Sequence, residues 1–183
     1  PKDAFSLALL DLSHEHCKSI NHLVKLRLYG SAFALIRSCV ESFVRGIWTQ
    51  VANEEQADDF LKAKPSWPKF HTMLRDIDEH FELKNKYFTE RYRRSYGDIM
   101  SNFTHAYSLQ IHKRIETKIM GFSATDDEIS ELLNEVGLIS IMSNIGMATI
   151  INDPEAISQL KQLQDKHYKD FQQEPGSVRL NHH

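Results

Sequence analysis

The side chains of this 183-residue chain best suited to chemistry lie in two stretches. In the first, Arg37, Glu41 and Arg45 recur at steps of four, with Trp48 after them. On a helix that spacing puts guanidinium, carboxylate and guanidinium on one face, so Glu41 can pair with either arginine. Exposed to solvent, such a ladder is worth only about 0.3–0.5 kcal/mol per pair. Half-buried beside Val40 and Val44, it needs well-placed partners, is costly to break, and can frame a pocket for an anion or phosphate. The second stretch holds Arg91, Arg93, Arg94, Asp98, Ser101, Asn102, Thr104 and His105, followed by Gln110, His112, Lys113 and Arg114. Between Lys84 and Lys118 there are eight lysines and arginines against three acids, with tyrosines and phenylalanines interleaved. An RNA-binding surface uses such a mixture, charge for phosphate and rings for unstacked bases, and so do many ordinary helix surfaces. Ser101 and His105 are one helical turn apart, and a histidine there can act as general acid or base near neutral pH, or simply satisfy a neighbour in the core. Ser101 lacks the strained turn and glycine loop of a serine nucleophile.

Other chemistries find little support in the residue pattern. His14 and His16 are about 200° apart around a helix, so one helix cannot present both to one metal ion. Cys17 and Cys39 match no metal or redox spacing and read as buried, reduced thiols of a cytoplasmic protein. No Walker or dinucleotide glycine loop occurs, so no cofactor is expected. The start of the chain lacks the pattern of a secretory signal. The most apolar run, Leu138 to Ile151, has 14 residues and includes Ser140, Ser143, Asn144 and Thr149. It is shorter than the roughly 20 residues a membrane crossing needs and reads as a buried helix. A net charge of −3 and a pI near 6.4 exert no global pull toward nucleic acid or anionic membrane.

The elements that must position these residues are helical. Glycine and proline total 12 residues, too few for a turn-rich sandwich or barrel. We expect an all-α, up-and-down bundle of about six to seven helices in a single domain over residues 1–173, with residues 174–183 a disordered tail. A first helix with Leu9, Leu12, Ile20, Leu23 and Val24 inward should end at Tyr29-Gly30, glycine serving as its cap. Ser31 would then start a second helix, antiparallel to the first. A short helix begins at Asn53. Another carries Phe70, Met73, Leu74, Ile77 and Phe81, and residues 82–88 read as a loop. A fifth runs from Thr89 to His105 or beyond, with a continuation over residues 108–120. Thr125 and Glu128 form a capping box for the sixth helix. Asp153-Pro154 starts the last, with Ile157, Leu160, Leu163 and Phe171 inward. Gly46 and Gly97 lie inside helices, where glycine costs about 1 kcal/mol, and suggest a close crossing of the second and fifth.

Residues 31–48 and 102–114 resemble an uncharacterised bacterial protein family that pairs an Arg-x-x-x-Glu-x-x-x-Arg-Gly-x-Trp helix with a Thr-His-x-Gly-x-x-Gln motif. Across roughly residues 5–150 the arrangement is similar to HEPN-type helical bundles, many of them toxin or phage-defence ribonucleases. In the active ones, an arginine and a histidine four to six residues apart on one helix meet the same pair across a homodimer and cleave RNA without metal. The resemblance implies a HEPN-like fold, a homodimer, and His105 as the general acid/base. Asp98, Ile99 and Met100 stand where the arginine would fall, and Ala106 and Tyr107 follow the Thr-His pair. Arg94 is about 16 Å from His105 along a helix. Two readings follow. In one, the protein is a non-catalytic or degenerate HEPN-like interaction module of a defence or toxin–antitoxin setting, with Arg37, Glu41, Thr104, His105 and Gln110 in a buried polar network. In the other, it is a metal-independent ribonuclease or nucleotide binder, with His105 catalytic and Arg37, Arg45 or Arg94 steadying phosphate. The two readings differ on whether the protein is an enzyme.

Overall fold

Ser6, Leu10, Ser13, Cys17 and Ile20 alternate steps of four and three, and in the computed structural model this stripe is the buried face of the first helix, α1 (Lys2–Lys25). The second helix, α2 (Tyr29–Val51), answers with Ala32, Ile36, Cys39, Phe43 and Gly46, also buried and also spaced four and three. A repeat averaging 3.5 residues keeps a seam facing its partner along the length of two packed helices. The structure describes residues 2–53, 56, 67–94, 108–115 and 122–173, and for residues 93–94, 108–110 and 168–173 the backbone alone. After α2 come α3 (Phe70–His80), a 3-10 turn (Lys84–Lys86), α4 (Tyr87–Arg94), α5 (Ser108–Ile115), α6 (Asp126–Ile150) and α7 (Pro154–Gln173). The described residues contain seven α-helices and no strand, the all-α bundle expected.

The seam between α1 and α2 departs from an apolar reading of α1. Leu12 is exposed and Leu9 only partly buried, while two serines are fully buried. Ser6 Oγ donates to the Gly46 carbonyl at 2.7 Å and Ser13 Oγ to the Cys39 carbonyl at 3.0 Å. Small hydroxyls let the two backbones close in while each finds an acceptor, as buried polar groups must. A Cβ on Gly46 would stand 2.8 Å from the Leu10 side chain, and one on Gly146 of α6 would stand 2.9 Å from it. Leu10 is therefore wedged between two glycines of different helices. Gly46 makes a close crossing with α1, and Gly97, with most of the expected fifth helix, lies outside the described residues.

The turn from α1 to α2 is also built differently. Arg27 takes the left-handed conformation (φ 58°), with Leu28 N–H bonded to the Leu23 carbonyl at 2.8 Å and Arg27 N–H to the Val24 carbonyl at 2.9 Å. That is a Schellman closure with arginine where glycine is usual, at a cost of about 1 kcal/mol. Gly30 instead lies in the first turn of α2, and no side chain caps that helix, so Ser31 is not its cap. Glycine leaves room at position 30: a Cβ would meet Arg114 Nη2 at 2.8 Å and the Phe122 ring at 3.0 Å, and both would have to shift.

In α3, Met73, Leu74 and Ile77 are buried as their spacing predicts. Phe81 is 49 % exposed, because the helix ends at His80 and the chain turns away through Glu82 (φ 49°). The expected loop 82–88 contains the 3-10 turn and the first residues of α4. The capping box at Thr125 and Glu128 is present, and Asp153 Oδ1 accepts Ala156 N–H at 3.0 Å beside Pro154. Asn53 and Gln56 exchange side-chain and backbone bonds of 2.9 and 3.0 Å, the start of the expected short helix. Its remainder, residues 95–107 of the expected fifth helix, residues 116–120 of its continuation, and the expected tail 174–183 lie outside the described residues.

Leu132, Val136, Ile139 and Ser143 form the buried stripe of α6, which packs on α1 and α2, with α7 on its other side. Leu163 of α7 is exposed rather than inward, since α7 rests chiefly on one neighbour and only a narrow strip is covered. By length and composition α6 could cross a membrane, and 28 % of its most apolar window is buried in the fold.

Candidate functional site

The ladder on α2 forms, and it is half-buried. Arg37 Nε donates to Glu41 Oε1 at 2.9 Å and Arg45 Nη2 lies 3.3 Å from Glu41 Oε2, with side chains 23 %, 33 % and 19 % exposed for Arg37, Arg45 and Glu41. One carboxylate thus serves two guanidiniums, one oxygen each. The Arg45 guanidinium also stands 5.2 Å from the centre of the Trp67 ring. Trp67 meets Trp48 edge-on at 6.2 Å, and Trp48 Nε1 donates to Asp76 Oδ2 of α3 at 3.1 Å. Trp48 is 2 % exposed, so its ring anchors α2 to α3 and is not available to stack on a base. Its polar contact joins it to Asp76 rather than to Glu41.

A second carboxylate-centred cluster joins α4 to α6. Arg91 and Tyr92 both reach Glu135: Arg91 through Nη2 to Oε2 and through Nε to Oε1 at 3.4 Å, and the Tyr92 hydroxyl to Oε1 at 2.8 Å. Burial pushes the Tyr92 phenol well above its ordinary value, and the Glu135 charge adds to that. For Arg91 burial works against the charge, but Glu135 more than offsets it and the pKa is raised. The guanidinium also lies 5.8 Å and 6.0 Å from the centres of the Tyr87 and Tyr92 rings. A third carboxylate, Asp78 of α3, is buried and accepts Phe88 N–H at 2.9 Å and Thr89 N–H at 2.8 Å. It caps α4 from another helix, placing negative charge where the helix dipole favours it. Neither Glu135 nor Asp78 stands out in the sequence, because their partners are 43–44 and 10–11 residues away.

Of the remaining candidates, Asp98, Ser101, Asn102, Thr104 and His105 lie outside the described residues. Arg94 and Gln110 are placed by backbone in α4 and α5. Arg114 stacks over Phe122 at 5.9 Å and lies against Gly30. Gly30 is 11 residues before Glu41 on α2, about 16 Å along the axis, so Arg114 at Gly30 does not reach that carboxylate. Its neighbour Lys113 bonds both Glu128 oxygens, at 2.7 and 2.9 Å. Burial would raise the Glu128 carboxyl, but Lys113 and the Thr125 cap hold it below its ordinary range. The basic stretch therefore spends Arg91 and Lys113 on internal carboxylates.

Two further polar groups sit in the helix seams. His14 Nδ1 lies 3.0 Å from both Ser140 Oγ and Asn144 Nδ2, which accounts for two of the polar residues interrupting the apolar run of α6. Burial, with Lys18 nearby, lowers the His14 pKa, and Asp11 opposes them. Cys17 and Cys39 are free, buried thiols with sulfurs 3.3 Å apart. The hydrogen bond to Cys39 and burial both push the Cys17 thiol up, away from the reactive thiolate.

Fold and clusters together define an all-α helical bundle whose ion pairs centre on carboxylates shared between donors. A family model described as a family of unknown function, DUF6988, matches residues 10–173, and the chain belongs to that family. No curated protein and no solved structure matches it.

Proposed function

We propose that the protein is a non-catalytic interaction module that acts as a homodimer in the cytoplasm, its polar clusters fastening the fold rather than holding a substrate. The observation that carries this reading is the use made of the arginines: Arg37 and Arg45 share Glu41, and Arg91 pairs with Glu135. A guanidinium committed to a half-buried carboxylate is costly to redirect to a phosphate. The resemblance of the helical arrangement over roughly residues 5–150 to HEPN-type bundles supports the dimer and a bacterial defence or toxin–antitoxin setting. The decisive experiment incubates the protein and its His105→Ala variant with structured and single-stranded RNAs without metal, alongside sedimentation of the unmodified protein. We expect equal, negligible cleavage by both and a dimer in sedimentation. Cleavage that His105→Ala abolishes would overturn the reading in favour of a ribonuclease using His105 with Arg37 or Arg94, and a monomer would remove its dimeric part.

A further inference from the structure

Helix α6 carries more apolar surface than its seam with α1 and α2 uses. Beyond that seam, Met142 and Ile145 face a cleft of about 980 Å³, walled also by Phe43 and Ile47 of α2 and Ile157 of α7, with Phe81 at the end of α3. That volume lies at the upper end of the range for small-molecule sites, roughly 300–1,000 Å³, and the space between helices of a bundle is a common place for one. Phe81, half-exposed and edge-on to His80 at 4.8 Å, is an aromatic side chain left on the cleft rather than in the core.

The polar residues of the cleft discriminate between ligands. Asp3 is the one acid among the described lining residues, and its Oδ1 already accepts from Gln50 Nε2 at 3.3 Å. On α7, Lys161 and Gln164 follow Ile157 at steps of four and three, so cation, amide and apolar wall share one helix face. Lys161 is exposed and forms no ion pair among the described residues. An apolar chamber with an unpaired ammonium and an amide donor beside it suits a molecule with a long apolar part and a single anionic head.

We propose that this cleft binds a monomeric long-chain carboxylate, its hydrocarbon against Ile47, Phe81, Met142 and Ile145 and its head on the Lys161 ammonium and the Gln164 amide. The proposal goes beyond the interaction-module reading and does not depend on it. Each methylene buried adds about fourfold in affinity, so removing two weakens binding by about tenfold or more while the wall is still unfilled.

The test is calorimetric titration of the full chain with dodecanoate, decanoate and dodecylamine, all below their micellar concentrations, with anionic phosphatidylglycerol vesicles as a separate arm. We expect one dodecanoate per chain, decanoate about tenfold weaker, and dodecylamine weaker than dodecanoate. Lys161→Glu reverses the order of the two dodecyl compounds. Ile157→Trp, on the cleft wall, removes dodecanoate binding while circular dichroism and melting temperature stay near those of the unmodified protein. If that variant misfolds, Lys161→Glu at an exposed position still decides the matter. Absence of saturable dodecanoate binding, an unchanged preference in Lys161→Glu, or binding to vesicles without binding to monomeric dodecanoate would each overturn the proposal.

Discussion

Among the described residues, Glu41 and Glu135 each take two donors, yet those donors come from different places. Those of Glu41 are one turn before and one turn after it on α2. Those of Glu135 arrive together from α4, as consecutive residues Arg91 and Tyr92, 44 and 43 residues away in the chain. The first cluster decorates a helix that packs through its own buried stripe. The second determines where one helix stands against another, and it holds a buried phenol hydroxyl that has no access to water. Removing Glu41 takes one acceptor from two guanidiniums that are partly exposed to solvent. Removing Glu135 leaves a buried hydroxyl and a half-buried cation without their acceptor.

The largest effect should come from Glu135→Ala, a loss of about 2–3 kcal/mol in urea unfolding, combining a broken half-buried ion pair with an unsatisfied Tyr92 hydroxyl. Tyr92→Phe placed in the Glu135→Ala background should recover part of that loss, and a double-mutant cycle showing strict additivity would separate the two residues. Next comes Asp78→Ala, with a loss of about 1–2 kcal/mol from uncapping two backbone amides. Faster hydrogen exchange at Phe88 and Thr89 than elsewhere in the bundle is its local signature. Glu41→Gln should cost about 0.5–1 kcal/mol, a fall of roughly 1–4 °C in melting temperature. A Glu41→Gln loss as large as that of Glu135→Ala would erase the distinction between the local and the long-range carboxylate.

The smallest effect is on pH dependence. Because burial lowers the His14 pKa from its ordinary 6.5, the folded state binds fewer protons there than the unfolded chain. Its contribution is intact above pH 6.5 and is lost as pH falls through the folded value. Glu128, held below its ordinary 4.5, contributes above that pH and loses its contribution in stronger acid. Urea midpoints between pH 7 and 5 should therefore fall less steeply for His14→Gln than for the unmodified protein, while Lys113→Gln should alter the acid limb alone. Equal slopes for His14→Gln and the unmodified protein would show that the seam between α1 and α6 does not depend on a neutral imidazole.

How much of this was readable beforehand depended on distance along the chain. The Thr125–Glu128 box, the Asp153-Pro154 start, the inward Met73, Leu74 and Ile77 of α3 and the Arg37–Glu41–Arg45 spacing all involve residues within one or two turns, and all are found, whereas Phe81 at the end of α3 is exposed. The buried serines of α1 were missed because a count of apolar side chains gives no weight to a small hydroxyl that fits between close backbones. Glycine is the usual left-handed residue and so points to a cap at Gly30, whereas Arg27 takes that conformation and Gly30 makes room for Arg114 and Phe122. The partner of Trp48, Asp76, lies 28 residues on, and no spacing within α2 points to it.

By itself, the sequence determined that this protein is an all-α bundle, where most of its described helices begin, and which charges share a face, since those properties rest on hydrogen bonds and contacts spanning three or four residues. Only the tertiary structure decided that Leu10 lies between Gly46 and Gly146, that Asp78 caps α4, that Glu135 gathers Arg91 and Tyr92, and that α6 and α7 enclose an apolar cleft with Lys161 beside it. Each of those joins residues far apart in the chain, and which remote groups meet is set by how the helices pack around one another, a property that no single helix carries in its own periodicity.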